Sequence, residues 1–176
     1  ELSVPIVLNF LNDEIFKLHA RRMLESRVGN TKVFNALVSA LPKVSDVSQI
    51  GIISTLAKHG DTRAVPYIIP YIHSKDLTLA EAALNAIGRV GDEQSHTILN
   101  ETSVVQELFD VRNRSLLDSG THLDREITQQ IFENSTNRSL KIQSFKKLYV
   151  TNKAQAKISY EKVFAQSNTY ERLALI

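Results

Sequence analysis

Three short copies recur in this chain at a spacing of 31 residues: Arg27-Val28-Gly29-Asn30, Lys58-His59-Gly60-Asp61 and Arg89-Val90-Gly91-Asp92. A fixed period of that size constrains the fold more than any other feature, because it marks a chain assembled from stacked supersecondary units. Two looser copies follow: Gly120-Thr121 lies 29 residues after Gly91, and Thr151-Asn152 lies 31 after Gly120. Each joint has a mechanical reading. Glycine can take the left-handed conformation that ends a helix and turns the chain. The Asp, Asn or Thr after it can accept backbone N–H bonds and start the next helix.

The segments between joints carry helical periodicity. Ile53, Leu56, Ala57 and Gly60 fall at helical spacing ahead of one joint, and Leu79, Ala83, Ala86, Ile87 and Val90 ahead of the next. Second helices follow the joints with stripes of their own: Phe34-Leu37-Val38-Leu41, Val65-Ile68-Ile69-Ile72 and Leu123-Ile127-Ile131. Asp46-x-x-Gln49, Thr78-x-x-Glu81, Ser103-x-x-Gln106 and Thr121-x-x-Asp124 read as capping boxes or their relatives. Strand patterns are nearly absent, and Gly51-Ile-Ile-Ser54 sits inside a helical period. The expected unit is helix–turn–helix, which buries its apolar stripe only by stacking on neighbours.

These residues resemble a known family. Ile52-Ile53-Ser-Thr-Leu56-Ala57-Lys-His-Gly60-Asp61-Thr-Arg-Ala64-Val65-Pro66-Tyr-Ile68-Ile69 is similar to a HEAT repeat, nearest to the short HEAT-like type named after phycobilin lyase subunits. Ala82-Ala83-Leu84-Asn-Ala86-Ile87-Gly88-Arg-Val90-Gly91-Asp92 resembles the next repeat. The resemblance is close over 46–101, extends to 15–45, is weak over 103–134 and returns over 137–166, where Leu140, Phe145, Leu148 and Val150 precede a joint. It implies an all-α fold, a right-handed α-α superhelix (solenoid) of about five HEAT-like repeats, with residues 1–176 as a single array. Such repeats specify fold far better than function.

Composition sets the remaining bounds. Apolar residues make up 43% and charged residues 23%, which is globular, and the 6 glycines and 4 prolines fall mainly at joints. No apolar run reaches the ~18 residues of a membrane span. The absence of cysteine removes thiolate and disulfide chemistry. Four N-x-[ST] sequons start at Asn100, Asn113, Asn134 and Asn137 and would matter only in a secreted eukaryotic protein. The chain opens at Glu1, its only methionine is Met23, and Asn168-Thr-Tyr-Glu171 starts a helix that has only two turns left, so it reads as a piece of something longer. Net charge is +3 over residues 1–75, −6 over 76–124 and +5 over 125–176. That alternation argues against the continuous basic stripe of a nucleic-acid groove.

His59-Gly60-Asp61 looks like chemistry in isolation, but its copies at 28–30 and 90–92 make Asp61 a helix cap and His59 a residue favoured at a helix C-terminus. The five histidines show no HExxH, HxxEH or HxH spacing, and no G-x-S-x-G elbow or phosphate loop occurs. No metal, cofactor or small-molecule ligand is indicated. Lys141, Lys146, Lys147, Lys153, Lys157 and Lys162 spread over several helical faces and read as a solvated exterior.

What the copies lack is Tyr67, Pro70 and Tyr71. The two tyrosines flank the buried stripe of a second helix at i and i+4, and Pro70 removes a backbone bond and bends that helix. In HEAT arrays the second helices line the concave face, so the resemblance places Arg63, Tyr67 and Tyr71 near it. Arginine and aromatic side chains there are the usual anchors of a protein interface. The expected function is a non-catalytic protein-interaction scaffold or adaptor, holding another protein or another part of its own chain. The alternative is an enzyme or enzyme subunit of HEAT-like type, phycobilin-lyase-like or DNA-glycosylase-like. Nucleic-acid binding is a third, minor reading.

Overall fold

The computed structural model describes residues 3–119 and 125–167, and all of its regular structure is helical. The all-α expectation holds for the described residues, which contain no strand. The three 31-residue copies fall where expected, between helices. Asn30 caps α3 (Thr31–Ala40) by accepting from Lys32 N at 2.9 Å. Asp61 accepts from Arg63 N at 3.1 Å and opens the short 3-10 turn Thr62–Ala64. Asp92 accepts from Ser95 N at 2.7 Å at the head of α7 (Glu93–Glu101). Gly60 and Gly91 are left-handed, at φ of 65° and 70°, as a helix stop requires. Gly29 is not: the chain turns there through Arg27 N to Leu24 O and Asn30 N to Arg27 O, so the first joint does not use the left-handed region.

Ahead of the joints lie α2 (Lys17–Glu25), α4 (Asp46–Ala57), α6 (Leu77–Val90), α8 (Phe109–Asp118) and α10 (Arg138–Thr151). Each packs on the next, α2 on α4, α4 on α6, α6 on α8 and α8 on α10. The other helices, α1 (Ser3–Asn9), α3, α5 (Val65–Ile68), α7, α9 (Arg125–Asn134) and α11 (Lys153–Gln166), lie against this row. One buried apolar cluster runs through it from Leu11 to Leu140, by way of Ile52, Ile53, Leu84 and Ile87. Among the described residues no helix is long and apolar enough to cross a membrane.

Several local expectations are corrected. The second helix expected over 65–72 is only Val65–Ile68, continued by a 3-10 turn over Ile69–Tyr71. Pro70 has no N–H to donate back to residue 66, so the helix tightens there into Ile72 N to Ile69 O. Tyr67 and Tyr71 therefore do not share one helix. The capping boxes are displaced as well. Ser45, not Asp46, sits at the N-cap of α4, and Gln49 turns inward to donate to Leu41 O at 3.1 Å. Asp76, not Thr78, caps α6 by accepting from Thr78 N at 2.8 Å. Ser103 caps nothing, because residues 102–105 are irregular and a 3-10 turn begins at Gln106. Val150, read with the stripe of α10, is 82% exposed. The Gly120-Thr121 joint, the box at Thr121, Leu123 and the helix start at Asn168 lie outside the described residues.

Candidate functional site

The site expected from the sequence is built on Phe34. This residue sits in the first turn of α3, buried by its helical position opposite the solvent. The Arg63 guanidinium lies over its ring at 4.5 Å, and the Tyr67 ring meets it edge-on, with centroids 6.3 Å apart. Asp61 fixes the guanidinium: Arg63 Nε donates to Oδ1 at 2.9 Å and Nη2 to Oδ2 at 2.6 Å. The same carboxylate thus caps the 3-10 turn and pins the arginine that follows it two residues later. The Arg63 hydrogen bond holds the Asp61 carboxyl below the usual carboxylate range.

Arg63 and Tyr67 are brought together, and Tyr71 is not with them. Tyr71 packs against the apolar core, and burial pushes its hydroxyl above the ordinary phenol value. Tyr67, in contrast, leaves 46% of its surface in water. The result is a half-exposed tyrosine beside an arginine whose geometry is set in advance. Neither group needs to lose much rotamer freedom to make a contact, which is what lowers the cost of binding at an interface.

The remaining residues singled out in the sequence take structural places. His59 is exposed in the turn after α4, and its neighbour Lys58 pairs with Glu25 of α2, holding that carboxyl below its ordinary range. Among the described residues no three His, Asp or Glu side chains converge to hold a metal ion. His96 Nδ1 lies 3.0 Å from Ser119 Oγ, which is a nucleophile-and-base distance. Ser119 is 1% exposed, however, and its hydroxyl donates to Leu116 O at 2.9 Å. Its oxygen therefore accepts from the imidazole, and the pair ties α7 to the end of α8. The sequon at Asn137 is likewise spent in the fold. Its Oδ1 caps α10 and its Nδ2 donates to Asp110 Oδ2 at 2.8 Å.

A second surface went unread in the sequence. Phe145 on α10 meets Phe132, Tyr149 and Tyr160, and Tyr160 stacks on Phe164 with centroids 5.8 Å apart. Lys153 Nζ stands 5.5 Å from the Tyr149 ring centre, and with Lys157 it rims an open groove of about 390 Å³ floored by Phe145, Tyr149 and Tyr160. The signal was there as aromatic i, i+4 pairs at 145/149 and 160/164 on consecutive helices. The lysines do not all form a solvated exterior. Lys141 donates to Phe132 O at 3.3 Å, Lys162 pairs with Glu133, and burial depresses the Lys147 ammonium from its ordinary value. No family model matches this chain, and a search of curated proteins found no match.

Proposed function

We propose that this chain is a HEAT-like solenoid segment that works as a non-catalytic protein-interaction scaffold. Arg63 and Tyr67 would be the anchors on the concave face that its second helices form. The stacking of α2, α4, α6, α8 and α10 in chain order supports the repeat architecture, as do the two left-handed glycine joints 31 residues apart. One observation carries the functional reading. A half-exposed tyrosine and an arginine held by Asp61 are set side by side over a buried phenylalanine, which is a prepaid contact surface of the type that dominates interface energies. Tyr71 drops out as an anchor because its ring serves the core.

The test places a photo-crosslinking amino acid at position 67, with a control at the exposed Glu81 of α6. A discrete protein adduct at 67 and none at 81 is the expected result. Tyr67→Ala should then weaken capture of that partner by about tenfold or more. Thermal stability should fall by no more than the about 0.5–1.5 kcal/mol of a lost aromatic pair. Equal labelling at both positions, or capture unchanged in Tyr67→Ala, sinks the assignment.

A further inference from the structure

We propose that the cleft between α7, α8 and α9 binds a carboxylate carried on a short apolar chain, with Arg112 as its cationic floor. The cleft has a volume of about 400 Å³. Phe109, Leu116, Ile127 and Ile131 supply its apolar wall, and Gln130 and Asn134 its polar rim. The site is separate from the Tyr67 surface, and neither reading depends on the other.

Arg112 is what marks the cleft. Nη1 donates to Thr102 O at 3.3 Å and Nη2 to Asn113 Oδ1 at 3.1 Å, both neutral oxygens at long range. Nε is buried with no partner, and among the described residues no carboxylate lies within ion-pair distance of the guanidinium. A guanidinium carries five N–H donors. Two are used here, which leaves one N–H on each terminal nitrogen for the cleft. Burial alone, with no opposing charge, depresses this arginine from its ordinary value. A half-buried arginine normally has a carboxylate or phosphate as counter-ion, because withdrawing the cation from water is costly without one. The nearest acid in the wall, Asp110, is already taken by Asn137 Nδ2.

The surroundings choose between the two anions. Residues 76–124 carry a net charge of −6, and Asp110 itself lines the cleft. A dianionic phosphate or a polyanion is repelled by that field, whereas a single carboxylate is neutralised by one arginine. The apolar wall then takes the ligand's body.

The experiment follows the Arg112 Nε–H resonance of the 176-residue protein by NMR during titration with sodium hexanoate, hexanamide and inorganic phosphate. Hexanoate is expected to shift the resonance saturably, with a Kd on the order of 1 mM. Hexanamide and phosphate are expected to bind at least tenfold more weakly. Arg112→Gln, followed through the backbone amides of α8 and α9, should abolish the response. Arg112→Lys should retain only part of it, since lysine lacks the planar fork. Asn134→Trp, an exposed change at the mouth of the cleft, should block hexanoate in a protein that keeps its fold. A response to hexanamide equal to that of hexanoate, a stronger response to phosphate, or normal hexanoate binding in Asn134→Trp each overturns the proposal. If Arg112→Gln only lowers the melting temperature and the wild type ignores hexanoate, the arginine merely ties down the carbonyl of Thr102 and the proposal fails. Acetyl-leucyl-leucine with a free carboxyl, set against its amide, separates a polypeptide terminus from a free small acid as the source, and a preference for either acid upholds the site.

Discussion

The middle of the chain and its C-terminal end are both helix stacked on helix, but they are held by different means. Around α4 and α6 the contacts are aliphatic and very close. Ile52, Ile53, Leu56, Leu84 and Ile87 are fully buried, and Gly88 lets α6 approach the backbone of α8. Around α9, α10 and α11 the seam is polar and aromatic. Gln155 donates to Gln129 at 3.1 Å, and Gln129 and Ser159 both donate to Glu133, at 2.8 and 3.1 Å. Lys162 completes the set on the other carboxylate oxygen. The same stacking problem is solved once by shape and once by hydrogen bonds. The two solutions should break under different insults.

The largest effect is expected at Gly88. A Cβ placed there would lie 2.8 Å from Ser115 Cα and from Ser115 O, and backbone has nowhere to go. Gly88→Ala should destabilise the protein by about 2–3 kcal/mol, as overpacking of a filled core does. Gly51 is the control within the same region. Its added methyl meets the Arg21 side chain at 2.9 Å, and a surface arginine can swing away, so Gly51→Ala should cost far less in urea denaturation. Equal losses for the two variants would mean that the α6–α8 contact is not close-packed.

The joints come next. Gly60 and Gly91 hold φ of 65° and 70°, where a Cβ costs about 1–2 kcal/mol. Gly60→Ala and Gly91→Ala should each lower stability by that amount. Gly29 occupies the same place in the repeat without the left-handed φ, and an added Cβ meets nothing within 4 Å. Gly29→Ala should be neutral or stabilise by up to about 1 kcal/mol through the unfolded chain. Three aligned glycines would thus give opposite signs, and thermal melts of the three variants decide it.

This contrast also shows what could be read in the sequence. Helix order, the aliphatic stripes and the caps at Asn30, Asp61 and Asp92 were legible because each obeys a local rule with one strong solution. Gly29 obeyed the pattern and not its mechanism, since a turn of 3-10 type made the left-handed residue unnecessary. Ser45 and Asp76 displaced the expected caps because several Ser, Thr and Asp residues stand side by side at those helix starts, and each can serve. In the candidate site, Arg63 and Tyr67 were legible as flanking residues of a second helix. Their meeting over Phe34 was not, because it joins residues about thirty positions apart. Tyr71 was misplaced for a local reason: Pro70 rotates the chain out of α-helical register. The polar seam of α9–α11 was hidden from any apolar pattern, since Gln, Glu and Ser at buried positions look like surface until their partners are known.

The smallest effect is expected at Glu133, and it is the one that distinguishes the two regions by pH. The Lys162 hydrogen bond, with further donors from Gln129 and Ser159, holds this carboxyl below its ordinary range. The depressed value means that the folded state binds the proton less tightly than the unfolded chain. The stabilisation is therefore present in full above the unfolded carboxylate pKa, about 4.3, and is lost as pH falls through the lower folded value. Glu133→Gln should cost about 1–2 kcal/mol at pH 7, the usual worth of hydrogen bonds to a charged group, and progressively less in acid. Gly88→Ala should cost the same at both pH values, because it changes only shape. If the Glu133→Gln loss is as large at pH 3 as at pH 7, the carboxylate is not what holds α9 to α11, and the polar seam contributes through packing in the way the middle of the molecule does.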